Sequence, residues 1–260
     1  MIRFMRTAAL LAALLPAGIV TSVAADETIS FATEAAFPPF NMRADDGSII
    51  GWEIELGMAM CERVNLKCEF VAQEWDGMIP GLLAKKYTAI FGAMQITEQR
   101  SKVINFTDKY FRAVSSFLAA EGTEIDFDDK KLGGLAIGTY PGTTQCFLDA
   151  HFPDANYRIY KTATDLALDL NAGRIDVMVG QIIQADSAII RKYPEKNYVF
   201  IGEPVEYWDT ANCFGPGGGI GVRKEDKELL ALLNKAIKMV RDDGTYEKLS
   251  VKYFGRDIYE

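Results

Sequence analysis

The stretch Gly92–Arg100, with the sequence GAMQITEQR, is the part of this chain from which the fold and the site can be worked out. It follows an apolar run, Ala89–Phe91, that predicts a buried strand, and a charged amphipathic segment comes after it. The guanidinium of Arg100 stays charged and can bind a carboxylate through two parallel hydrogen bonds. The stretch therefore predicts a strand end followed by an arginine that holds the carboxylate of a small ligand.

The elements before this stretch alternate between strand and helix patterns. Residues 28–33 and 68–71 predict strands, and the apolar spacing within residues 53–64 predicts a helix with one buried face. Asp76 is expected to cap a second helix. Strands that alternate with helices indicate an α/β fold with parallel strands.

Ligands of such sheets lie at the carboxyl ends of the strands. This rule places Glu34–Phe37, Trp75 and Gly92–Gln95 around one crevice. For Glu34, a ligand-binding role and a solvated strand end remain equal alternatives. The rings of Phe37, Trp75 and Tyr140 predict a pocket wall, with core packing as the alternative for each of them.

The second half of the chain repeats the α/β pattern. Gly142–Gln145 opens a helix whose free N–H groups and threonine hydroxyls suit an anion. Thr164 is expected to cap the next helix, and Gln181 follows the strand predicted at residues 175–179. One pattern before about residue 112 and one after it predict two α/β lobes with a cleft between them.

The N-terminus has the pattern of a secretory signal peptide, predicted to span residues 1–25. Arg3 and Arg6 precede an apolar run at residues 8–19, and small residues surround the expected cleavage after Ala25. The alternative, a membrane anchor, needs a longer apolar run. Cleavage would remove two positive charges, so the formal net charge would fall from −8 to −10. Such an acidic protein is poorly suited to nucleic acid.

Export makes disulfide bonds possible for the four cysteines. Cys61 and Cys68 lie close in sequence around the turn-prone Asn65, which predicts a short-loop disulfide. Whether Cys146 and Cys213 form a second bond stays open, because sequence alone does not give their geometry.

Catalytic and metal chemistry find little support in the sequence. His151 is the single histidine, so a histidine-based triad or a multi-histidine zinc site is not expected, and His151 is predicted to pack or lie at the surface. The glycines within Gly215–Gly219 lack the Lys-Ser/Thr ending of a phosphate loop and predict a flexible crossing. We expect no catalytic residue, metal or cofactor.

Several segments, taken in order, resemble the periplasmic solute-binding proteins of polar amino-acid ABC importers, in particular the histidine, lysine-arginine-ornithine and opine binders. The matching segments are FPPF at 37–40, GWEIEL at 51–56, WDGMIP at 75–80, ITEQR at 96–100, FTDKY at 106–110, GTTQ at 142–145, AGRID at 172–176, RKED at 223–226 and DGTY at 243–246. Cys61 and Cys68 also match the short-loop disulfide of that family.

The resemblance implies the two-lobed type II fold, with lobe one at residues 26–111 and 214–260 and lobe two at 112–213. It implies a monomer in the periplasm that delivers its ligand to membrane permease subunits. Arg100 would hold the ligand α-carboxylate, helped by the Gln95 backbone and Thr144. The ligand side chain would be surrounded by Glu34, Phe37, Trp75 and Tyr140, and Gln145 would line the cleft.

Four positions depart from the family pattern. The family has serines where this chain has Gly92, Ala93 and Gln95, and its amino-acid binders have aspartate at the position of Gln181. Without that carboxylate, a primary α-ammonium loses a charge-assisted partner worth roughly 1.5–3 kcal/mol. The departures favour an opine, whose amine is substituted, or another modified amino acid, a methylated or quaternary amine included.

Two other functions share this scaffold. A periplasmic enzyme of the cyclohexadienyl dehydratase type would use Glu34 as its acid or base. A soluble ligand sensor for a receptor is the other alternative.

Overall fold

The computed structural model describes residues 28–260, and the predicted signal peptide lies outside them. The strands are β1 (Thr28–Thr33), β2 (Ala36–Phe37), β3 (Asn41–Arg43), β4 (Ile49–Ile50), β5 (Lys67–Ala72), β6 (Ala89–Ile90), β7 (Asn105–Phe106), β8 (Ser115–Ala120), β9 (Ile137–Thr139), β10 (Tyr157–Ile159), β11 (Val177–Gln181), β12 (Tyr198–Ile201) and β13 (Gly221–Val222). The α-helices are α1 (Trp52–Arg63), α2 (Met78–Leu83), α3 (Glu98–Ser101), α4 (Thr143–His151), α5 (Ala163–Asn171), α6 (Ile182–Ala185), α7 (Lys227–Asp242) and α8 (Thr245–Phe254).

The strands form one five-stranded sheet in each of two lobes. The first sheet has the order β5-β1-β6-β13-β7 and the second has β10-β9-β11-β8-β12, while β2, β3 and β4 form a small separate sheet. Parallel pairing, as predicted, joins β1 to β5 and β6, and joins β9 to β10 and β11. Both sheets also contain antiparallel pairs, formed by β13 in the first and β8 in the second, which the α/β pattern did not predict.

The chain passes between the lobes twice, after β7 and again between β12 and β13. The two crossings touch, because Gly218 of the second forms an isolated β-bridge with Phe111 of the first, and Gly218 also bridges Gln95 in the loop after β6. All strands of the second sheet come from residues 115–201, and those of the first from residues 28–106 and 221–222. The lobe boundaries at residues 111/112 and 213/214 stay a prediction.

Helices cover both faces of each sheet, which explains the apolar alternation of the strands. In β1, Phe31 packs in the core with Trp52 and Leu56 of α1, whereas Ala32 packs on the opposite face with Met78 and Leu82 of α2. In β8, Phe117 and Leu118 likewise enter two different clusters of the second lobe. Side chains that alternate across a strand thus fill two apolar layers.

Two predicted helix starts differ from the structure. Asp76 lies within a 3₁₀ turn, Trp75–Gly77, and α2 begins after it without a side-chain cap. The cap of α5 is Thr162 rather than Thr164, because the Thr162 hydroxyl oxygen accepts a hydrogen bond from the Asp165 N–H at 3.1 Å. A threonine two residues earlier therefore satisfies the free donor of the first turn.

Both cysteine pairs are disulfide-bonded in the structure. The Cα atoms of Cys61 and Cys68 are 6.2 Å apart, and those of Cys146 and Cys213 are 5.7 Å apart. The first pair was predicted, and the second answers the question that the sequence left open. None of the helices in residues 28–260 has the length and apolar character needed to cross a membrane.

Candidate ligand-binding cleft

A cleft between the two lobes holds about 600 Å³ of space, its open mouth included. Ten of the eleven predicted site residues line it: Glu34, Phe37, Trp75, Gly92, Ala93, Gln95, Arg100, Tyr140, Thr144 and Gln181. The lining also contains Pro141, Thr143, Lys161 and Ala163, which the sequence did not single out. The rule that ligands lie at the carboxyl ends of the strands therefore located most of these residues.

Arg100 is a mostly buried cation with no acidic partner among residues 28–260. Its Nη1 donates to the Gln95 carbonyl oxygen at 2.8 Å, and its guanidinium carbon lies 5.2 Å from the centroid of the Trp75 ring. Burial lowers the pKa of Arg100 to about 10, so the side chain still carries its charge at neutral pH. A desolvated, unpaired guanidinium in a cleft is a site for an anion.

Gly142 faces Arg100 from the other lobe. A Cβ atom at position 142 would lie 2.9 Å from Nη2 of Arg100, and the φ angle of Gly142 is +108°. The backbone conformation requires glycine here, and a larger residue would also push against the end of the Arg100 side chain.

The start of α4 forms the wall opposite Arg100. Thr144 is buried, and its hydroxyl oxygen lies 2.8 Å from that of Thr139 at the end of β9. Gln95 reaches across the cleft, where its Nε2 donates to Thr143 Oγ1 at 3.2 Å. The rings of Phe37 and Tyr140 also meet across it in an edge-to-face contact, 6.0 Å between centroids. The structure is thus a closed arrangement of the two lobes.

The loop that carries Gly92 and Ala93 is fixed from below by a buried carboxylate. The Ala93 N–H donates to Glu53 Oε1 at 2.7 Å, and Asn41 Nδ2 donates to Glu53 Oε2 at 2.7 Å. The Tyr110 hydroxyl is a third donor to Glu53. Burial raises the pKa of Glu53 to about 7, against the opposing effect of these hydrogen bonds.

Glu34 lies in the cleft at the end of β1, not at a solvated edge of the sheet. Burial raises the pKa of Glu34 to about 7, and the neighbouring Asp76 carboxylate adds to the shift. Burial also raises the pKa of Tyr140, with a further contribution from Glu34. Glu34 is therefore a carboxyl group that gains or loses its proton near neutral pH.

Two glutamine side chains present oxygens without a partner. Gln95 is 2% exposed, and Oε1 of Gln95 and Oε1 of Gln181 are both buried without a hydrogen bond among the described residues. Buried polar atoms are normally satisfied, so these oxygens are available to donors of a ligand.

Gln145 is the one predicted site residue that the structure does not place in the lining. Thr143 and Thr144 occupy the first turn of α4 at the cleft, and each further residue of an α-helix turns about 100° away. The helix start was recognised from the sequence, and a ligand contact of Gln145 stays a prediction.

No sequence motif includes Lys161, and its position at the cleft follows from the register between β9 and β10. Ile159 pairs with Thr139 in the parallel ladder of β9 and β10, so Lys161 lies beside Pro141, two residues beyond the strand ends. The sequence did not predict this register, because β10 has only three residues and is too short to show a periodic pattern.

The profile of the family described as bacterial extracellular solute-binding proteins, family 3, matches residues 29–256. The chain is 37% identical over 236 residues to the histidine-binding periplasmic protein of Escherichia coli K12, with 90% of each chain covered. It is 34% identical over 239 residues to the L-arginine-binding protein of Pseudomonas aeruginosa, with 91% of each covered.

Among solved structures, the chain resembles a periplasmic His/Glu/Gln/Arg/opine family-binding protein from Silicibacter pomeroyi in complex with lysine. The TM-score is 0.74 at 28% identity, and the match covers 89% of this chain and 99% of the other.

Proposed function

The chain belongs to the bacterial extracellular solute-binding proteins of family 3 and has their two-lobed type II fold, and on this premise we propose that it is the solute-binding component of an ABC importer for polar amino acids or their derivatives. The observation that carries the proposal is the unpaired guanidinium of Arg100, buried in the cleft opposite the start of α4. Its working place would be the periplasm, as for the histidine-binding relative.

The geometry supports a direct link between ligand binding and closure. Arg100 belongs to the lobe of the first sheet, while Thr143 and Thr144 belong to the lobe of the second. A carboxylate between them accepts hydrogen bonds from both lobes, and the contact between Gln95 and Thr143 adds to the same closed state. The closed, loaded form is what would be presented to the permease, by a difference in affinity between open and closed states.

The amine end of the cleft supports a ligand other than a free α-amino acid. Gln181 offers a neutral oxygen, so it gives no charge-assisted bond to a primary ammonium. A substituted amine carries fewer N–H donors and needs fewer partners. We therefore place an opine or another amine-modified amino acid ahead of arginine, histidine or lysine.

A calorimetric titration tests the proposal with arginine, histidine, lysine, their N-carboxyalkyl derivatives and betaines as probes. At least one carboxylated probe should bind without being consumed. Arg100→Ala should weaken its binding by about 10- to 150-fold, the equivalent of 1.5–3 kcal/mol for hydrogen bonds to a charged group. Arg100→Lys should recover only part of the loss, because an ammonium cannot form the bidentate pair.

Arg43→Ala is the matched control, since Arg43 is an exposed arginine in the small sheet, outside the cleft. If no carboxylated probe binds, or if Arg100→Ala binds as tightly as the unchanged protein, the assignment of the site is wrong.

One observation favours an enzymatic alternative. A carboxyl group with a pKa near 7, as Glu34 has, is suited to proton transfer at neutral pH. A dehydratase of the cyclohexadienyl type would use it to protonate the hydroxide, which leaves as water while the ring carboxylate is lost as CO2 and its electron pair enters the ring. Incubation with prephenate or arogenate decides between the two functions: a binding protein leaves both compounds unchanged, whereas product formation that Glu34→Gln abolishes would establish catalysis.

A further inference from the structure

Three buried polar atoms without a hydrogen bond lie together beneath the amine end of the cleft. They are Gln181 Oε1, Ser115 Oγ and Glu206 Oε2, each unpartnered among residues 28–260. Gln181 and Ser115 are directly opposite in the antiparallel ladder of β11 and β8, so their side chains project as neighbours from the same face of the sheet. Buried polar atoms are normally satisfied, and three adjacent exceptions call for one common explanation.

Glu206 reaches Ser115 from the segment between β12 and β13. Its Oε1 accepts a hydrogen bond from the Ser115 N–H at 2.7 Å, and the neighbouring Tyr207 hydroxyl accepts one from Arg112 Nη2 at 2.8 Å. Burial raises the pKa of Glu206, and the Ser115 N–H, the Ser115 hydroxyl and the Arg112 guanidinium oppose this rise. These three groups favour the carboxylate form, which accepts hydrogen bonds and donates none.

One rearrangement satisfies all three atoms. Gln181 lines the cleft with its amide, and Oε1 is the buried, unpartnered end of that amide. A half-turn of the amide places Nε2 where Oε1 lies, and this exchange leaves the shape of the side chain unchanged. Nε2 then donates to Ser115 Oγ, and the Ser115 hydroxyl donates to Glu206 Oε2. The Gln181 oxygen moves to the cleft side, where it can accept from an N–H group of a ligand.

From this geometry we propose that Glu206 is a positioning residue of the cleft: through the Ser115 hydroxyl it fixes the Gln181 amide with its oxygen toward the ligand amine. Because the carboxylate only accepts, it sets the direction of both hydrogen bonds that lead from it to Gln181. This inference rests on the proposed function and adds a residue outside the cleft lining that determines which ligand groups the cleft accepts. A ligand nitrogen that carries N–H is favoured at Gln181 over a ligand oxygen that only accepts.

Glu206→Gln tests this direction, because it turns one acceptor atom into a donor and keeps the size of the side chain. The new amide oxygen still accepts from the Ser115 N–H, while the new NH2 group donates to Ser115 Oγ. The Ser115 hydroxyl then donates to Gln181 Oε1, and the NH2 group of Gln181 faces the ligand. The variant should therefore reverse the polarity of the cleft at this point without removing a contact.

Calorimetric titration into the full-length mature protein measures the reversal. The amine probes are arginine, histidine and their N2-(1-carboxyethyl) derivatives, and the matched probes are the 2-oxo analogues of arginine and histidine, whose 2-oxo oxygen only accepts. The unchanged protein should bind at least one amine probe about tenfold or more tightly than its 2-oxo analogue. Glu206→Gln should weaken that amine probe about tenfold and leave the 2-oxo analogue bound as tightly or more tightly.

Ser115→Ala removes the hydroxyl that links the two side chains and keeps the backbone N–H that Glu206 binds. Adding Glu206→Gln to Ser115→Ala should therefore change the affinity for either kind of probe less than about twofold. Glu203→Gln is the matched control, since Glu203 is an exposed glutamate in the same segment, and it should keep the preference for the amine probe.

Equal losses for both kinds of probe in Glu206→Gln would overturn the inference, because a carboxylate that only stabilises the fold supports both alike. An effect of Glu206→Gln that persists in the Ser115→Ala background would overturn it as well, as would a 2-oxo analogue that binds the unchanged protein as tightly as its amine probe. These results leave the proposed function intact. If none of the probes binds the unchanged protein, the proposed function itself fails, and the inference with it.

Discussion

At the scale of single residues, Glu34 is the side chain of the cleft whose charge changes near neutral pH. Its pKa of about 7 has burial as its main cause and the Asp76 carboxylate as the second. Opposite charge lowers the pKa of a carboxyl group, so a cationic group of the ligand beside Glu34 would favour its ionised form. Binding of such a ligand is then linked to the release of a proton.

We predict that the affinity for a ligand with a distal cation, such as arginine or its carboxyethyl derivative, rises with pH between 6 and 8. Below a pKa of about 7, Glu34 must lose its proton before it pairs with the cation, which costs up to about tenfold in affinity per pH unit. Calorimetry in two buffers of different ionisation enthalpy measures both the affinity and the proton release.

Glu34→Gln should remove this pH dependence, and Glu228→Gln, an exposed change on α7, should keep it. An affinity of the unchanged protein that stays constant from pH 6 to 8 would contradict the prediction.

The residue scale also shows where the sequence was informative. Glu34, Trp75 and Gly92 stand next to recognisable strand ends, so their meeting in one cleft followed from the α/β pattern, whereas the role of Arg100 came from its chemistry and the family resemblance. Lys161 depends on the register between two short strands, and the inward direction of Thr143 rather than Gln145 depends on the phase of a helix. The register of two strands and the rotational phase of a helix are set by tertiary packing, and the pattern of residues along the chain does not specify that packing.

At the scale of elements, Glu53 connects α1 to the loop after β6. It accepts hydrogen bonds from Asn41, Ala93 and Tyr110 while fully buried. The family resemblance drew attention to the segment around Glu53 but gave it no role. The contacts show that it supports the floor of the cleft from the core.

We predict that Glu53→Ala lowers the free energy of unfolding by about 3 kcal/mol or more. Three buried donors would lose their acceptor, and each unsatisfied donor costs about 1–3 kcal/mol. Glu53→Gln should cost much less, because the buried Asn41 Oδ1 has no partner and can accept from the new amide after the Asn41 side chain flips. Urea unfolding followed by circular dichroism gives both values.

The same carboxyl group should make stability depend on pH. Its pKa is raised from 4.5 to about 7 in the folded protein, so its stabilising contribution is complete below pH 4.5 and is lost as the pH rises through 7. Because Glu34 adds a slope of the same sign, the comparison is made in a Glu34→Gln background. There, Glu53→Gln should flatten the profile between pH 5 and 8, and an unchanged slope would refute the assignment.

α4 is held at two points by the segment that follows β12. Cys146 is bonded to Cys213, and His151 Nε2 lies 2.9 Å from Asp209 Oδ1, with Trp208 against the rings of Phe147 and His151. His151 therefore packs in the second lobe, in agreement with its prediction as a packing or surface residue. The helix α4, which faces Arg100, is therefore fixed to the segment between β12 and β13, where the chain returns to the first lobe.

We predict that the Cys146–Cys213 bond contributes more stability than the Cys61–Cys68 bond. The sequence separations are 67 and 7 residues, and loop-closure entropy gives about 4 and about 2 kcal/mol, respectively. Replacing each pair by serines and measuring urea unfolding tests the order. The short-loop variant serves as the control, and a larger loss in that variant would contradict the prediction.

At the scale of the whole molecule, the two lobes contact each other directly across the cleft. Gln95 and Thr143 form one hydrogen bond at 3.2 Å, and Phe37 meets Tyr140 beside it. The sequence predicted the two lobes from its repeated α/β pattern. It did not predict these contacts, because they join residues from separate halves of the chain whose distance depends on closure.

We predict that ligand binding lowers the radius of gyration in small-angle X-ray scattering, as the lobes close. Gln95→Ala and Thr143→Val should each weaken binding by about 2- to 10-fold, the value of one hydrogen bond of 0.5–1.5 kcal/mol. The double variant should lose less than the sum of the two single losses, since the two side chains share one hydrogen bond besides their separate contacts with the ligand. Additive losses, or an unchanged radius of gyration, would contradict closure through this contact.

The position of β13 in the first sheet has a consequence for biosynthesis. This strand lies between β6 and β7 but is made after the whole second sheet, and α7 and α8, which pack on α1, are made later still. When the chain emerges with its N-terminus first, the second lobe can close once residue 213 has appeared, whereas β6 and β7 keep unpaired edges until residues 221–222 arrive. Unpaired strand edges are where other chains add. A chain stalled before residue 221 thus combines one finished lobe with one aggregation-prone lobe, the kind of intermediate that chaperones bind.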